Sequence, residues 1–173
     1  MIKLIDILNE IGDSSAQKYT WSFKGKYDTG GIINLDYEFK TDNNIRYFVK
    51  LTVQESDASA LSFEMMVAFG VGRSVIKKAL GDKKPFAQIV NKGEVFRVMA
   101  TVTDIVKDGI KRMAQDGYPV KIILFEAEKE KETKDGYVDT DQRVKLYMAY
   151  IKQNMDMVYS VKQKGNTIEV ILK

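Results

Sequence analysis

Residues 95–127, VFRVMATVTDIVKDGIKRMAQDGYPVKIILFEA, decide the fold because their hydrophobic period changes once along the stretch. As far as Met113, apolar residues recur every three or four positions, which is the period of an amphipathic α-helix. Gly117 and Pro119 predict the end of that helix. Residues 120–127 then form a nearly continuous apolar run, typical of a strand buried on both faces at the centre of a mixed or parallel sheet. The sequence therefore predicts a long helix followed by a central strand.

The start of the long helix has its own signal. Asn91-Lys-Gly-Glu94 places an amide side chain three residues ahead of an acidic one, a variant of the capping box. We therefore expect Asn91 at the N-cap of the helix.

Four runs with a period of two precede this helix. Their alternating apolar members are Tyr19, Trp21 and Phe23; Ile33, Leu35, Tyr37 and Phe39; Ile45, Tyr47, Val49, Leu51 and Val53; and Leu61, Phe63, Met65, Val67 and Phe69. Turn-forming residues at 28–31 and 41–44 separate the first three runs. Such runs predict an antiparallel meander with one face buried. Alternating aromatic residues could also stack on nucleic-acid bases, but a core face explains the pattern more simply.

The remaining segments complete an α+β domain. Residues 2–11 have the spacing of a short amphipathic helix, and residues 73–80 could form another. Residues 128–139 are highly charged and predict a solvated loop. A second main helix should begin at Asp139 or Thr140, and its inner face should carry Val144, Tyr147, Met148 and Ile151. A hairpin with a Gly-Asn loop should close the chain.

We therefore predict one domain over residues 1–173. Its first half, residues 1–90, holds the N-terminal helix and the meander, and residues 91–173 form a helix–strand–helix–hairpin unit. The fold class is α+β, with a mixed, mostly antiparallel sheet and two main helices.

Composition excludes several chemistries. The 173 residues are 45% hydrophobic and 29% charged, which is typical of a globular domain. The chain contains no histidine and no cysteine. This rules out a Ser-His-Asp triad, a thiolate nucleophile and the usual zinc, haem and iron–sulfur ligands. Catalysis would have to use carboxylates, Lys, Tyr, Ser or Thr, backbone amides, or a metal ion held by oxygen.

Charge and hydropathy limit the kinds of partner that we expect for this chain. The 27 basic residues are interspersed with 24 acidic ones, so we do not expect a nucleic-acid partner. No apolar run approaches the roughly 20 residues that cross a bilayer. The first ten residues also lack the features of a signal peptide. We expect an intracellular protein with no membrane segment.

The element order resembles that of the GNAT acyltransferases, in which a strand–helix–strand–helix–strand core follows an antiparallel meander. A local likeness adds to it at Asp141-Gln-Arg-Val-Lys-Leu-Tyr147. The resemblance implies acetyl-CoA as a cofactor and Tyr147 as the general acid toward the departing thiolate.

A closer resemblance is to uncharacterised proteins of tailed bacteriophages. Three short motifs carry it: Phe96-Arg-Val-Met-Ala-Thr-Val102, Ile122-Ile-Leu-Phe-Glu-Ala127, and the Arg-x-Lys-Leu-Tyr of Arg143 to Tyr147. It covers roughly residues 91–173 and implies no established activity.

The sequence departs from the GNAT pattern at the cofactor loop. That family binds the pyrophosphate with Arg/Gln-x-x-Gly-x-Gly/Ala at the start of the long helix. Ahead of the helix this chain has Glu94, a negative charge where a phosphate would lie. The other alignment uses a loop with Gly70, Gly72 and Arg73, but Val67 stands in the place of the Arg/Gln. A turn that needs permissive backbone explains those glycines more simply than a phosphate cradle.

Acidic residues are the remaining candidates for a functional site, as ligands of a metal ion. Glu126 and Glu128, with Asp36 or Glu38, could hold a magnesium ion. Solvated carboxylates at a strand end explain them more simply, and we expect no metal. By its periodicity, Asp104 lies on the polar flank of the long helix and should be exposed.

Our leading hypothesis is a non-enzymatic phage accessory or virion-associated protein on a degenerate GNAT-like scaffold. It would act through a protein partner, from phage or host, without a cofactor, in the infected cell's cytoplasm or in the virion. The alternative is an acetyl-CoA-dependent N-acyltransferase that uses the loop of Gly70, Gly72 and Arg73, with Tyr147 as the acid. A third hypothesis is an inhibitor that binds a host protein through residues 128–139.

Overall fold

The protein is seen as a computed structural model that describes residues 17–56, 62–71, 94–126, 140–165 and 167–173. These ranges contain, in chain order, β1 (Trp21–Thr29), β2 (Ile32–Lys40), β3 (Arg46–Glu55), β4 (Phe63–Val71), α1 (Val95–Gln115), β5 (Val120–Glu126), α2 (Thr140–Asn154), β6 (Val158–Lys164) and β7 (Thr167–Leu172). The predicted helices at 2–11 and 73–80 and the charged loop at 128–139 lie outside the described residues.

One sheet contains all seven strands in the order β1-β2-β3-β4-β5-β7-β6. Every neighbouring pair is antiparallel except β4 and β5, which run parallel. The predicted α+β class, with a mixed and mostly antiparallel sheet and two main helices, is therefore confirmed.

The predicted meander is also confirmed. The first hairpin pairs Thr29 with Ile32 across a two-residue loop, in which Gly30 has φ 65° and Gly31 has φ 87°. Two consecutive positive φ values match the turn whose twist suits a tight hairpin, and glycine adopts them without strain. The alternating residues of β2 predicted to face the core are all buried: Ile33, Leu35, Tyr37 and Phe39.

Both helices pack on the same face of the sheet, which we call the inner face. The connections β4–α1–β5 and β5–α2–β6 each join parallel strands and move in the same direction across the sheet. Right-handed crossovers then require the two helices to share a face. The contacts agree, because α1 approaches Leu51 through Gly109 and α2 places Tyr147 against Phe69, and both sheet residues face inward.

The apolar stripe of α1 is buried as predicted, and its buried members include Val98, Met99, Val102, Ile105, Val106 and Met113. The helix comes closest to the sheet at Gly109. A Cβ atom there would lie 3.3 Å from Met65 Cε and 3.6 Å from Leu35 Cδ1, and closer still to Leu51 Cδ1. Glycine at this position lets α1 lie directly on the inner face.

The predicted start of α1 is wrong. Glu94, with φ −105° and ψ 4°, occupies the N-cap position, and its side chain makes no capping hydrogen bond. Asn91 lies outside the described residues. The Glu94 carboxylate is bound by side chains from other elements.

The central position of β5 is confirmed, but its burial on both faces is only partly so. Ile123 and Phe125 are fully buried on the inner face, whereas Ile122 and Leu124 on the opposite, outer face are half-buried. The terminal hairpin is confirmed, with Lys164 paired to Thr167 across the loop. On α2, the predicted inner residues Tyr147 and Ile151 are buried.

Candidate functional site at the amino end of the long helix

A buried carboxylate marks the amino end of α1. Glu94 is 8% exposed, and its Oε1 accepts hydrogen bonds from the Tyr19 hydroxyl (3.1 Å) and from Asn43 Nδ2 (3.2 Å). Among the described residues, Glu94 Oε2 is buried without a hydrogen-bond donor. The segment before β1, the β2–β3 turn and the helix start thus converge on one acidic group.

Tyr19 fixes this arrangement from the side of β1. Its backbone N–H donates to Thr101 Oγ1 (2.9 Å), and its ring stacks on Phe39 with centroids 5.9 Å apart. Burial raises the pKa of Tyr19 to about 12, and the hydrogen bond to Glu94 adds to that effect. The phenol therefore keeps its proton and remains a donor to the carboxylate.

Arg97 covers the same cluster from the solvent side. Its guanidinium lies 4.0 Å from the Tyr19 ring centroid, donates to the backbone carbonyl of Gln17 (2.8 Å) and pairs with Asp42. Asp42 is largely exposed, at 72% of its side chain. This guanidinium is thus already paired with a carboxylate.

Of the predicted cofactor loop, only Gly70 lies in the described residues, and it is not in a loop. Gly70 belongs to β4, where it is buried and pairs with Phe48 of β3. The expectation of a loop that begins at Gly70 is therefore wrong, because the β3–β4 ladder continues through Val71. Gly72 and Arg73 lie outside the described residues.

Tyr147, the predicted general acid, is 2% exposed and packs against Phe69, with ring centroids 6.4 Å apart. Consecutive residues of a strand point to opposite faces. Gly70 therefore lies on the outer face of β4, while Phe69 and Tyr147 lie on the inner one. The structure does not bring Gly70 and Tyr147 into one cleft.

The parallel ladder ends close to Tyr147. The pairing of β4 with β5 stops at Val67 and Phe125, although β4 itself continues to Val71. Among the described residues, no strand pairs with the β5-facing edge of residues 68–71. This strand edge, unpaired within the described ranges and next to a buried tyrosine, is the feature most compatible with the acyltransferase alternative.

A second polar cluster lies on the outer face, and the sequence did not predict it. Lys50 is 1% exposed, donates to the Tyr27 hydroxyl and lies 3.5 Å from Asp36 Oδ1. The Tyr27 hydroxyl donates in turn to Asp36 Oδ2 (2.8 Å). Tyr27 is 38% exposed, and its partial burial, followed by this hydrogen bond, raises its pKa to about 12. The three groups form a closed ring that joins β1, β2 and β3.

The carboxylates proposed as magnesium ligands are not brought together. Asp36 lies on β2 and Glu126 on β5, with two strands between them. At about 4.8 Å per strand their separation is roughly 14 Å, whereas ligands of one ion lie within about 2.6 Å of it. Glu38 pairs with Arg46 (3.4 Å), and Glu128 lies outside the described residues. Within the described ranges, no group of three or more metal-binding side chains occurs.

Asp104 was predicted to be exposed, and this is wrong. It is half-buried and accepts hydrogen bonds from Lys18 Nζ (2.7 Å) and from Trp21 Nε1 (2.8 Å). Burial alone would raise the pKa of Asp104, but these two donors outweigh it and lower the pKa. The polar flank of α1 is used to attach β1.

The described residues do not fit an acyl-CoA pyrophosphate at the start of α1. A helix N-terminus attracts anions through its unpaired N–H groups. Here a buried carboxylate already lies at that end, and the neighbouring guanidinium is paired with Asp42. A pyrophosphate would meet the negative charge of Glu94 in a poorly solvated position, where charge repulsion is strong.

The chain matches no protein-family model, no curated protein and no solved structure. Neither helix in the described ranges is both long enough and apolar enough to cross a bilayer.

Proposed function

We propose that this chain is a non-enzymatic accessory or virion-associated protein of a bacteriophage, which uses a GNAT-like scaffold to bind a protein partner from the phage or its host. The observation that carries the proposal is the buried carboxylate of Glu94 at the amino end of α1, with one oxygen that has no donor among the described residues. An acyl-CoA-binding version of this scaffold would need a site for anions there.

The contacts of Glu94 support this interpretation. Tyr19 and Asn43 both donate to its carboxylate, and Tyr19 is itself fixed by Thr101 and Phe39. The acidic group is therefore part of the packed structure and cannot leave without breaking several contacts. A scaffold that retains an acid at this position is suited to a role that does not require acetyl-CoA.

The test is calorimetric titration of acetyl-CoA into the purified protein. We expect no binding at about 1 mM ligand, the upper end of ordinary Michaelis constants. A Glu94→Gln variant keeps an acceptor for Tyr19 and removes the charge, so it shows whether Glu94 itself prevents binding. Micromolar binding to the wild-type protein would refute the proposal.

The alternative is an acetyl-CoA-dependent N-acyltransferase, and the position of Tyr147 favours it. Tyr147 packs on Phe69 where β4 has passed the end of its ladder with β5. If acetyl-CoA binds, a Tyr147→Phe variant separates the two roles of this residue. If Tyr147 is the general acid, the variant should lose turnover while its affinity for acetyl-CoA stays unchanged. If Tyr147 only packs against Phe69, turnover should remain.

A further inference from the structure

The strand β6 forms one edge of the sheet. Within the described ranges it pairs only with β7. The two-residue loop is closed by the pair Lys164 and Thr167, and such a closing pair exchanges its hydrogen bonds across the hairpin. Hydrogen-bonded and non-hydrogen-bonded pairs then alternate along the ladder, so the N–H and C=O of Val161 point away from β7. This edge can accept another strand.

The net positive charge of the chain belongs to the segment that contains this edge strand. Residues 140–173 contain six basic residues and three acidic ones, while the whole chain contains 27 and 24. The first 139 residues are therefore neutral, with 21 of each sign, and the entire formal charge of +3 belongs to α2, β6 and β7. On β6, Lys162 and Lys164 are exposed. Lys164 pairs with Glu169 (2.8 Å), whereas no ion pair within the described residues involves Lys162.

A large aromatic side chain accompanies these lysines. Tyr159 is 76% exposed, twice the exposure of Tyr27 and Ile32, the other exposed large hydrophobic residues of the described ranges. It is the extra residue of a bulge, because Val158 pairs with Leu172 and Ser160 with Ile171. Exposed tyrosines at the centre of a contact surface often provide much of its binding energy.

We propose that β6 binds an extended, acidic segment of a partner protein, which joins the sheet as an eighth strand. Backbone hydrogen bonds to β6 would provide affinity, Tyr159 an apolar anchor, and Lys162 the preference for carboxylates. This inference rests on the proposed protein-binding function and identifies the chemistry of the partner. Lysines on an edge strand discourage pairing with another basic strand, so a second copy of this chain is a poorer occupant.

The opposite edge provides a control. The basic residues of β1 are already paired, Lys24 with Glu38 (3.9 Å) and Lys26 with Asp116 (2.8 Å). An acidic strand therefore gains less at β1 than at β6.

The test uses ¹⁵N-labelled protein and the peptide acetyl-Thr-Glu-Val-Glu-Val-Glu-Thr amide, with its lysine-for-glutamate counterpart as a control. We expect the acidic peptide to shift the amide resonances of residues 159–164 and to leave those of β1 unchanged. Lys162→Gln should weaken binding about two- to fivefold, as expected for an exposed ion pair. Tyr159→Ser should weaken it about fivefold or more, and Lys24→Gln should have no effect.

Three results would overturn the inference: no shift in β6, equal binding of the lysine peptide, or equal loss of affinity in Lys24→Gln. Sedimentation of the free protein tests whether a second copy of this chain occupies the edge. A dimer that Tyr159→Ser dissociates would assign the edge to a second copy. The acetyl-CoA titration is a separate measurement, so the proposed function and this inference can fail independently.

Discussion

Replacing Gly109 by alanine tests how closely α1 lies on the sheet. The added methyl group would lie 3.3 Å from Met65 Cε and 3.6 Å from Leu35 Cδ1, and it would overlap Leu51 Cδ1. Leu51 and Met65 are both fully buried, so neither side chain can turn toward solvent. The overlap must be relieved within the core.

Two opposing effects decide the result. Alanine is favoured over glycine inside a helix by about 1 kcal/mol. Overpacking a well-packed core costs about 1–3 kcal/mol. Because the main overlap is with a fully buried side chain, we expect the second effect to exceed the first. Gly109→Ala should therefore lower the free energy of unfolding by about 1 kcal/mol.

The assay is urea denaturation of single and double variants. Leu51→Val removes the overlapping methyl group at a cost of about 1 kcal/mol. In that background Gly109→Ala should become neutral or stabilising, because the main overlap is gone and the helix preference then opposes only the closer contact with Met65. Ala114→Gly, at an exposed position of the same helix, measures that preference alone. If Gly109→Ala destabilises the protein equally in both backgrounds, contact with Leu51 is not the cause and the reasoning fails.

Two further predictions concern the polar contacts. Asp104→Ala should lower the free energy of unfolding by about 1–2 kcal/mol and shift the fluorescence emission of Trp21, the only tryptophan. The control Asp116→Ala breaks an exposed ion pair and should lower the free energy of unfolding by less than about 0.5 kcal/mol. Equal losses in the two variants would contradict the prediction. The pKa values of Tyr19 and Tyr27 are raised by burial to about 12 from an ordinary 10.0. Because the unfolded chain releases these protons first, their contribution to stability is complete below pH 10 and should be lost between pH 10 and 12. Unfolding experiments at several pH values, combined with the ultraviolet absorbance of tyrosinate, measure this loss. Early ionisation of all tyrosines in the folded protein would refute the prediction.

Periodicity was sufficient to predict the strands and helices of the described residues. Leu35, Tyr37 and Phe39 alternate because one face of β2 is buried, and Val98 and Val102 recur at helical spacing because one side of α1 faces the sheet. These patterns are local, so a single sequence reveals them. The place of β7 between β5 and β6 depends on long-range pairing, which a local pattern does not encode.

The candidate site was less accessible to prediction. Glu94 fitted a capping pattern, but Tyr19 and Asn43, distant in sequence, bind its carboxylate instead. Lys50 occupies a polar position in an alternating strand, which is typical of a solvated side chain, yet it is 1% exposed and lies beside Asp36. In both cases groups from other elements bind the buried polar side chain, neutral donors at Glu94 and a carboxylate at Lys50. Sequence spacing does not identify such partners.

The single parallel ladder also has a consequence for folding kinetics. The hairpins of β1–β4 join segments that are close in sequence and close only short loops. By contrast, β4 and β5 are separated in sequence by the whole of α1. Closing that long connection carries the larger entropy cost, and contacts between distant segments slow folding. The β4–β5 contact should therefore form in the rate-limiting step, so that weakening it at Val67 or Phe125 slows folding more than it speeds unfolding.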